Sequence, residues 1–492
     1  MFAARWGICL LLAVFGCVST PPTPPPAGES TATPLPGAER PDASAPQSAR
    51  PAQVLFVSIA GLEPGAYTPA PGREPLMPNL AHLAETGVRA DAVTAVAPPT
   101  HFSTHATLVT GRRPDAHGIV SNQLLDATGV QAMPFWEASR LRGDSLWSAT
   151  TAAKKGVAAL AWPSTLGADI DWLLPDVAPL RADQQWIPLL QQTTTPWLLQ
   201  RILEDVPDPQ PVGWPTAAER DALLMDLACD IARSGTPPAL WLLRLSQPAG
   251  PLRVAGPNSD AARSALAAAD KNVERLLDCL SGAGLLRSSA VVVVGDQVWE
   301  PVHSLIQPNI ALRRASLIGR DPRVETGIGA WQAIVRSNGG SAFVYAKDEG
   351  AALRAREVLR PEAARTRAFR IVSASEMAAL RADPEAWFGL EAAPGYVFGD
   401  SATGSFVVQP TIFRGASGYL LSNSERAVGF VAWGRGLRRG VTVPVMPAID
   451  IAPTLAALLD VSLDSEGRPL YGILSFDPRN PKRGLPKREQ TR

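Results

Sequence analysis

The sequence has no excess of charge of either sign, and it is poor in histidine. Its 492 residues include 46 Lys+Arg and 46 Asp+Glu. This balance excludes the strong basic field by which nucleic-acid-binding proteins attract their partner, so no nucleic-acid partner is expected. Imidazole ligands for a metal ion can come only from the five histidines, which are His82, His101, His105, His117 and His303.

A long apolar run is also missing, because residues 8–15 are too few to span a bilayer. Residues 1–17 instead fit a secretory signal, and residues 14–17 (VFGC) resemble a bacterial lipobox with Cys17 as the lipidation site. The alternative is an ordinary signal peptide or a short anchor. The lipobox interpretation predicts a lipid-anchored protein of the bacterial cell envelope. With Val18 after the cysteine, it is expected on the periplasmic face of the outer membrane.

Residues 18–52 are rich in Pro, Ser, Thr and Ala, and residues 477–492 are basic. Neither segment can bury a core, so a disordered tether and a solvated tail are expected on either side of one domain at residues 53–476. Cys9 leaves with the signal, and Cys17 is the lipidation candidate. Cys229 and Cys279 then remain in an exported domain, either as a disulfide or as two buried thiols.

The domain alternates apolar, β-branched runs with segments of helical periodicity. This alternation predicts an α/β fold with a mostly parallel central sheet, helices on both of its faces, and ligands at the carboxyl ends of the strands. The predicted strands are residues 54–59, 157–162, 240–245, 290–294, 342–345 and 428–433, and the predicted helices are residues 77–87, 217–233, 260–280, 349–359 and 449–459.

The segment at about residues 171–215 carries four tryptophans, which are Trp172, Trp186, Trp197 and Trp214. It is predicted to be a small cap-like insertion over the cleft or a contact surface. The commoner fate of tryptophan is packing in a core.

Residues 99–122, PTHFSTHATLVTGRRPDAHGIVSN, have the layout of a loop that feeds a helix N-terminus, where backbone N–H groups favour an anion. The segment resembles the nucleophile segment of the type I phosphodiesterase/nucleotide pyrophosphatase branch of the alkaline phosphatase superfamily. The matching residues are Phe102, His105, Thr107, Leu108, Val109, Thr110, Gly111, Pro114, His117, Gly118, Ile119 and Asn122.

Further segments resemble this family in order along residues 54–474. They are SIAGL (58–62), MPNLAHLAETGVRA (77–90), LAWPSTLGADID (160–171), AGPNSDAARSALAAAD (255–270), VVVVGDQV (291–298), GASGYLLSN (415–423) and IDIAPTLAALLDV (449–461). The resemblance implies the alkaline-phosphatase-like sandwich fold. It also implies phosphoric ester hydrolysis by two zinc ions and a Thr or Ser nucleophile.

The residues at the family's catalytic positions do not suit that chemistry. His101 stands at the nucleophile position, and the metal positions are filled by Ala60, Ala249, Arg253, Asp296, Gln297 and Ser417. Only Asp296 is a good zinc ligand, because alanine offers no donor atom and arginine carries a permanent cation. The sequence therefore predicts no two-zinc centre, no bound metal cofactor and no confident catalytic residue.

His101 has three interpretations: a replacement nucleophile that forms a phosphohistidine, a metal ligand together with His105 four residues on, or a drifted residue in a vacant pocket. His105 and His117 match family positions that look structural. Asp296 is either a remnant ligand or a partner of Arg253. Asn122 is either an anion contact or a helix or turn cap.

Three hydroxyl residues, Thr100, Ser103 and Thr104, are expected to cap the helix at residue 101. The sequence as a whole predicts an exported pseudoenzyme with a hydrolase fold. Its cleft is expected to bind an anionic ligand through Asn122 and Arg253, or the protein is expected to bind a protein partner. The alternatives are an active phosphodiesterase or phosphatase with a site rebuilt on His101, Asp296 and a single metal, and an envelope lipoprotein that binds partners outside the cleft.

Overall fold

The structure is a computed structural model that describes residues 49–125, 132–180, 184–204, 215–323, 326–410, 412–420 and 427–478. The predicted signal peptide with Cys17, nearly all of the tether, most of the basic tail and Trp214 lie outside the described residues. In the described part of the chain, no helix is both long and apolar enough to cross a bilayer.

The strands are numbered in chain order. They are β1 (Gln53–Ile59), β2 (Val88–Thr94), β3 (Gln123–Leu125), β4 (Ala132–Pro134), β5 (Val157–Leu160), β6 (Trp172–Leu174), β7 (Leu240–Leu245), β8 (Ser289–Gly295), β9 (Glu300–Pro301), β10 (Ser304–Ile306), β11 (Ile318–Arg320), β12 (Ile328–Trp331), β13 (Ala333–Ser337), β14 (Ser341–Ala346), β15 (Phe369–Val372), β16 (Phe388–Ala392), β17 (Tyr396–Phe398), β18 (Val407–Val408), β19 (Gly415–Ala416), β20 (Val428–Gly434), β21 (Val441–Val443) and β22 (Met446–Pro447).

The α-helices are numbered in the same way. They are α1 (Pro78–Thr86), α2 (His101–Thr110), α3 (Pro114–His117), α4 (Leu146–Ala152), α5 (Trp186–Thr193), α6 (Pro196–Glu204), α7 (Ala217–Arg233), α8 (Ala249–Val254), α9 (Asp260–Gly282), α10 (Pro308–Arg314), α11 (Glu349–Thr366), α12 (Ala374–Ala379) and α13 (Ile451–Leu459).

The central sheet has the strand order β21-β2-β20-β8-β1-β7-β5-β6, and β22 also pairs with β2. The strands from β8 to β6 are parallel to one another, whereas β20 is antiparallel to both of its neighbours, β8 and β2. The predicted mostly parallel α/β sheet is therefore confirmed. The strand predicted at residues 428–433 is present, but it runs against the direction of the others.

Strand β1 shows why helices cover both faces of the sheet. All seven of its residues are buried, and successive side chains point to opposite faces. Leu55, Val57 and Ile59 belong to one apolar cluster with helices α1, α7 and α9. Val54 and Phe56 belong to a second cluster with helices α2, α4 and α13. A strand with apolar side chains on both of its faces can satisfy both clusters at once.

A second sheet lies outside the central one. Its strand order is β13-β14-β16-β15, all of its pairs are antiparallel, and it has its own apolar cluster with helix α11. The strand predicted at residues 342–345 belongs here as β14, and not to the parallel sheet. Its apolar run, SAFVYA, is the same kind of run that a parallel strand has, so sequence alone did not separate the two environments.

The segment predicted as a cap, residues 171–215, supplies β6 at one edge of the central sheet and helices α5 and α6. Trp186 is 6% exposed and belongs to the apolar cluster on that face, whereas Trp197 is 39% exposed. Nearby, Cys229 of α7 and Cys279 of α9 form a disulfide with a Cα–Cα distance of 5.2 Å. The disulfide alternative for these two cysteines is thus the one that the structure contains.

Candidate functional site

A cleft of about 670 Å3 lies at the carboxyl ends of the central strands. Its lining includes His101, Arg244 and Asp296, together with residues 337–339 at the end of β13 and residues 397–400 at the end of β17. Ligands in parallel α/β sheets bind at this edge. The cleft is therefore the candidate site, and it brings together most of the positions that the sequence singled out.

Helix α2 places His101 at the mouth of the cleft. The helix begins at His101 and ends at Gly111, whose φ of 63° is the left-handed conformation that favours glycine. At the first turn, the backbone N–H of Phe102 donates to Oδ1 of Asn122 over 3.2 Å. Of the two interpretations of Asn122, the structure thus shows the helix cap, and its amide still lines the cleft.

The predicted hydroxyl caps are wrong. Thr100 is the residue before the helix, but its side chain makes no capping hydrogen bond. The hydroxyls of Thr100, Ser103 and Thr104 are buried and have no partner among the described residues. None of the three residues is among those that line the cleft. None of them is placed to act as a nucleophile in the cleft.

His101 is held by Asp176, a residue that follows β6. Nε2 of His101 and Oδ2 of Asp176 are 2.7 Å apart, and Oδ2 lies 3.8 Å from the guanidinium of Arg244 on β7. Burial alone would raise the pKa of the Asp176 carboxyl, but Arg244 and the His101 hydrogen bond together hold that pKa well below its usual range. Burial and Arg244 lower the pKa of His101. The pair therefore consists of a carboxylate and a neutral imidazole.

His105 lies one helical turn further on and is fully buried. Its Nδ1–H donates to the backbone carbonyl oxygen of His101 over 2.7 Å, because a carbonyl can only accept. Nε2 consequently carries the lone pair and accepts from the Ser58 hydroxyl over 2.8 Å. Burial lowers the pKa of His105 well below 6.5.

Asp296 follows β8 and is 3% exposed. Its Oδ1 accepts from the backbone N–H of Gly61 over 2.9 Å. Gly61 has φ +67°, and a side chain there would collide with Leu252, so the turn after β1 requires glycine. Ala60, the metal position before it, is buried and adds no donor atom.

Of the two interpretations of Asp296, the pairing with Arg253 is not present in the structure. Among the described residues, no ion pair joins Arg253 to a carboxylate. Its guanidinium lies over the ring of Phe413, with 5.7 Å from Cζ to the ring centroid. Arg253 sits in α8, next to Ala249 at the start of the same helix, and both line the cleft. The guanidinium is thus available to a ligand.

The side chains of Gln297 and Ser417 are joined by a hydrogen bond. The Ser417 hydroxyl donates to Oε1 of Gln297 over 2.6 Å. The amide Nε2 of Gln297 then has no partner in the described part of the chain, although the residue is only 4% exposed. Two of the six family metal positions are thereby hydrogen-bonded to each other within the chain.

Unpartnered N–H groups recur around the cleft. Three side chains that line it carry a buried nitrogen donor without a partner among the described residues: Nε of Arg244, Nε2 of Gln297 and Nδ2 of Asn338. These residues are 9%, 4% and 6% exposed. Leaving a buried donor unpaired costs about 1–3 kcal/mol, so such groups are usually paired with a ligand or water.

One group in the described residues has the spacing of a metal site. A ligand atom from each of His101, His105 and Asp296 lies within 4.8 Å of the other two. The other family positions, Ala60, Ala249, Arg253, Gln297 and Ser417, contribute no ligand to it.

Sequence reasoning missed Asp176 and Arg244. Arg244 is the one charged residue in the buried strand LWLLRL, and a lone charge near the carboxyl end of a buried strand is a usable signal. Asp176 has no such signal, because only the tertiary fold brings it to His101, 75 residues earlier in the chain.

The chain is similar to known proteins in sequence and in fold. The sequence model of the family described as type I phosphodiesterase / nucleotide pyrophosphatase matches residues 54–399. A venom phosphodiesterase of Macrovipera lebetinus is 32% identical over 95 residues, which are 18% of this chain and 11% of the venom protein. An ectonucleotide pyrophosphatase/phosphodiesterase of Caenorhabditis elegans is 31% identical over 77 residues, 15% of this chain and 9% of the worm protein. The chain thus matches only about a tenth of the length of these curated relatives.

Solved structures agree over much more of the chain. Human ectonucleotide pyrophosphatase/phosphodiesterase 5 has a TM-score of 0.61 and 17% identity, covering 86% of this chain and 99% of the human one. The murine protein, solved as an inactive threonine-to-alanine variant in complex with AMP, has a TM-score of 0.62 and 18% identity. That match covers 86% of this chain and 100% of the murine one. At this identity the likeness shows the fold.

Proposed function

The chain belongs to the type I phosphodiesterase/nucleotide pyrophosphatase family, and from that premise we propose that it is a catalytically degenerate member whose cleft binds a phosphate-bearing anion. The observation that carries the proposal is the set of unpartnered N–H donors on Arg244, Gln297 and Asn338. A phosphate group accepts several hydrogen bonds at once, and donors to a charged acceptor bind more tightly than donors to a neutral one.

The two zinc ions implied by the family do not fit the residues present. Ala60 and Ala249 have no donor atom, and Arg253 brings a cation to a position that would face a dication. Gln297 and Ser417 are hydrogen-bonded to each other. Since one carboxylate, Asp296, cannot hold two ions, we derive no catalytic step through a pair of zinc ions.

The cleft has the features of an anion-binding site even without zinc ions. Arg253 is exposed at the rim and has no carboxylate partner among the described residues. The first turn of α2 opens toward the cleft beside Asn122, and the aligned peptide dipoles favour negative charge there. Arg253 and Asn122 would meet the ligand at the rim, and Gln297 and Asn338 would meet it deeper in the cleft.

The test is a calorimetric titration of the full-length chain in detergent with AMP, the nucleotide seen with the murine relative, and with inorganic phosphate. Asn338→Asp keeps the shape but replaces a donor with a carboxylate, and we expect it to weaken AMP binding by roughly tenfold or more, about 1.5 kcal/mol. Arg253→Ala should weaken binding by roughly 3- to 10-fold, since its guanidinium is exposed.

The matched control is Arg354→Ala, which removes an exposed arginine of α11 outside the cleft. Equal AMP and phosphate affinities in Arg253→Ala, Asn338→Asp and Arg354→Ala would refute the anion proposal. The alternative of a partner-binding envelope lipoprotein predicts that the chain co-purifies with a membrane protein. Co-purification to the same extent in the wild type and in all three variants would favour this alternative.

A second candidate function is an active phosphodiesterase or phosphatase with a rebuilt site. The observation in its favour is the His101–Asp176 hydrogen bond, since a carboxylate that orients an imidazole is the usual support for a nucleophilic or basic histidine. This candidate predicts that the protein hydrolyses an aryl phosphodiester and that His101→Ala abolishes this activity. Activity that is indifferent to this substitution would exclude it.

Location is a further part of the proposal. We propose export by the signal at residues 1–17 and membrane attachment through a lipid on Cys17, with residues 18–52 as the tether. Cys17→Ser should move the protein from the membrane fraction to the soluble fraction of the cell envelope. Unchanged membrane association of that variant would contradict the lipid anchor.

A further inference from the structure

We propose that His101, His105 and Asp296 bind a single divalent transition-metal ion, with a ligand set that differs from the two-zinc set of the family. A ligand atom from each residue lies within 4.8 Å of the other two. Two imidazoles and a carboxylate are a ligand set that zinc and neighbouring first-row metals accept. Asp296 is the only residue shared with the six family metal positions, so this site would be a local replacement and not a remnant.

His101 presents a lone pair that nothing else in the described residues uses. Its Nε2–H donates to the carboxylate of Asp176 over 2.7 Å, so in the neutral ring the lone pair is on Nδ1. That atom is buried and has no hydrogen-bond partner. Histidine ligands of metals commonly donate their other ring N–H to a carboxylate, which fixes the tautomer and the ring orientation. His101 and Asp176 have this arrangement.

His105 is prepared in the same way by the backbone. Its Nδ1–H donates to the carbonyl oxygen of His101, which leaves the lone pair of Nε2. That lone pair now accepts from the hydroxyl of Ser58. Because a hydroxyl can rotate, the Ser58 proton can be redirected when Nε2 takes a metal. The i, i+4 spacing on α2 puts the rings of His101 and His105 side by side, with centroids 4.9 Å apart.

Asp296 completes the set and connects it to the cleft. The Gly61 N–H holds one of its oxygens, and the other oxygen has no hydrogen-bond partner among the described residues. His101 and Asp296 both line the cleft. A metal held by these three residues would therefore keep a coordination position open on the cleft side, as catalytic zinc sites do.

The charge around the proposed site is compatible with a cation. Arg244 is the nearest buried guanidinium, but Oδ2 of Asp176 lies 3.8 Å from it and 2.7 Å from His101. The carboxylate of Asp176 thus offsets the charge of Arg244 beside the metal position, and Asp296 adds a second negative charge.

The test is a calorimetric titration of the full-length, chelator-stripped chain with Zn2+ alone, repeated with Co2+ to record the visible absorption of the bound ion. We expect one ion per chain. His101→Gln and Asp296→Asn should each weaken Zn2+ binding by about 100-fold or more, and Asp176→Asn by about 10- to 100-fold with an altered Co2+ spectrum. The matched control His82→Gln removes an exposed histidine of α1 and should change nothing.

Circular dichroism of each variant shows whether it folds. A readout that needs no variant is X-ray absorption of the zinc-loaded wild type, in which two imidazole ligands are expected. No bound ion, two bound ions, fewer than two imidazoles, or full affinity in folded His101→Gln and Asp296→Asn would each overturn the site. Because Zn2+ is titrated without AMP, failure here is distinguishable from failure of the anion proposal.

Discussion

Asp176 and His101 are 75 residues apart in the chain, and their side chains meet at 2.7 Å. One follows the edge strand β6 and the other starts helix α2. The contact gives His101 a defined tautomer and gives the buried guanidinium of Arg244 a counter-charge 3.8 Å away. A position that the sequence alone would leave as a drifted residue is therefore embedded in a three-residue polar network.

Replacing Asp176 tests that network. Asp176→Asn removes the negative charge and leaves Arg244, which is 9% exposed, without its counter-charge. The free energy of unfolding at pH 7 should fall by about 1–3 kcal/mol, less than for a fully buried pair because Asp176 is partly exposed. Urea denaturation measures this. The control Asp169→Asn, at an exposed aspartate, should change stability by less than about 0.5 kcal/mol. Equal stability of both variants would contradict the network.

His117 should make the fold sensitive to mild acid. It is fully buried, it accepts from the Ile119 N–H at Nδ1, and its Nε2 lies 3.0 Å from the hydroxyl of Thr107. Burial lowers its pKa from 6.5 to about 3. Between these two values the unfolded chain binds the proton and the folded chain does not, so stability is lost as pH falls through this window.

The measurement is the free energy of unfolding of the wild type and of His117→Gln at pH 7.5 and pH 5.0. One imidazole that titrates only in the unfolded state costs the wild type about 2 kcal/mol over this interval. His117→Gln should be less stable at pH 7.5 but lose about 2 kcal/mol less on acidification. An identical pH dependence in both proteins would mean that His117 is protonated in the native state.

The disulfide between Cys229 and Cys279 should form in an oxidising compartment and should stabilise the protein. It closes a loop with a sequence separation of 50, for which loss of unfolded-state entropy gives about 2–4 kcal/mol. The Cys229→Ser/Cys279→Ser double variant should be less stable by this amount. Alkylation of the denatured, unreduced protein followed by mass spectrometry should find neither cysteine modified. Modified peptides at both positions would exclude the bond.

The hydrogen bond from Ser417 to Gln297 should hold the Gln297 amide in the orientation that offers its N–H2 group to a ligand. Ser417→Ala frees the amide to rotate and to leave its oxygen unpaired. Affinity for AMP should then fall by roughly 3- to 10-fold, and stability by about 0.5–1.5 kcal/mol. Ser417→Thr, which keeps the hydroxyl, is the control. If Ser417→Ala and Ser417→Thr bind AMP equally, the hydroxyl does not orient the amide.

The sequence predicted most of the fold because its buried strands and long helices carry strong local patterns. The helix predicted at residues 217–233 agrees with α7 at both ends, since Thr216 and Glu219 form a capping box at its start. The strand at residues 240–245 agrees with β7. The direction of β20 and the separate sheet of β14 were not predicted, because an apolar strand shows burial but not the identity of its neighbour.

The site was predicted in part, for a related reason. Local motifs located His101, Asp296, Gln297 and Ser417 at the cleft, since each lies in a segment that resembles the family. They could not locate Asp176, whose role depends on a contact between distant segments. They also left open a pairing of Asp296 with Arg253 that the structure does not contain, because the Gly61 N–H holds Asp296 and the ring of Phe413 lies under Arg253.

The bond between Ser417 and Gln297 also constrains how this chain can evolve. The two positions are 120 residues apart, and mutating either one to a metal-ligating histidine removes one partner of their hydrogen bond, whose net contribution to stability is about 0.5–1.5 kcal/mol. A protein that acquired such ligands one substitution at a time would first pass through a less stable form. The hydrogen bond thus opposes the stepwise acquisition of metal ligands at these two positions through protein stability, independently of any selection on activity.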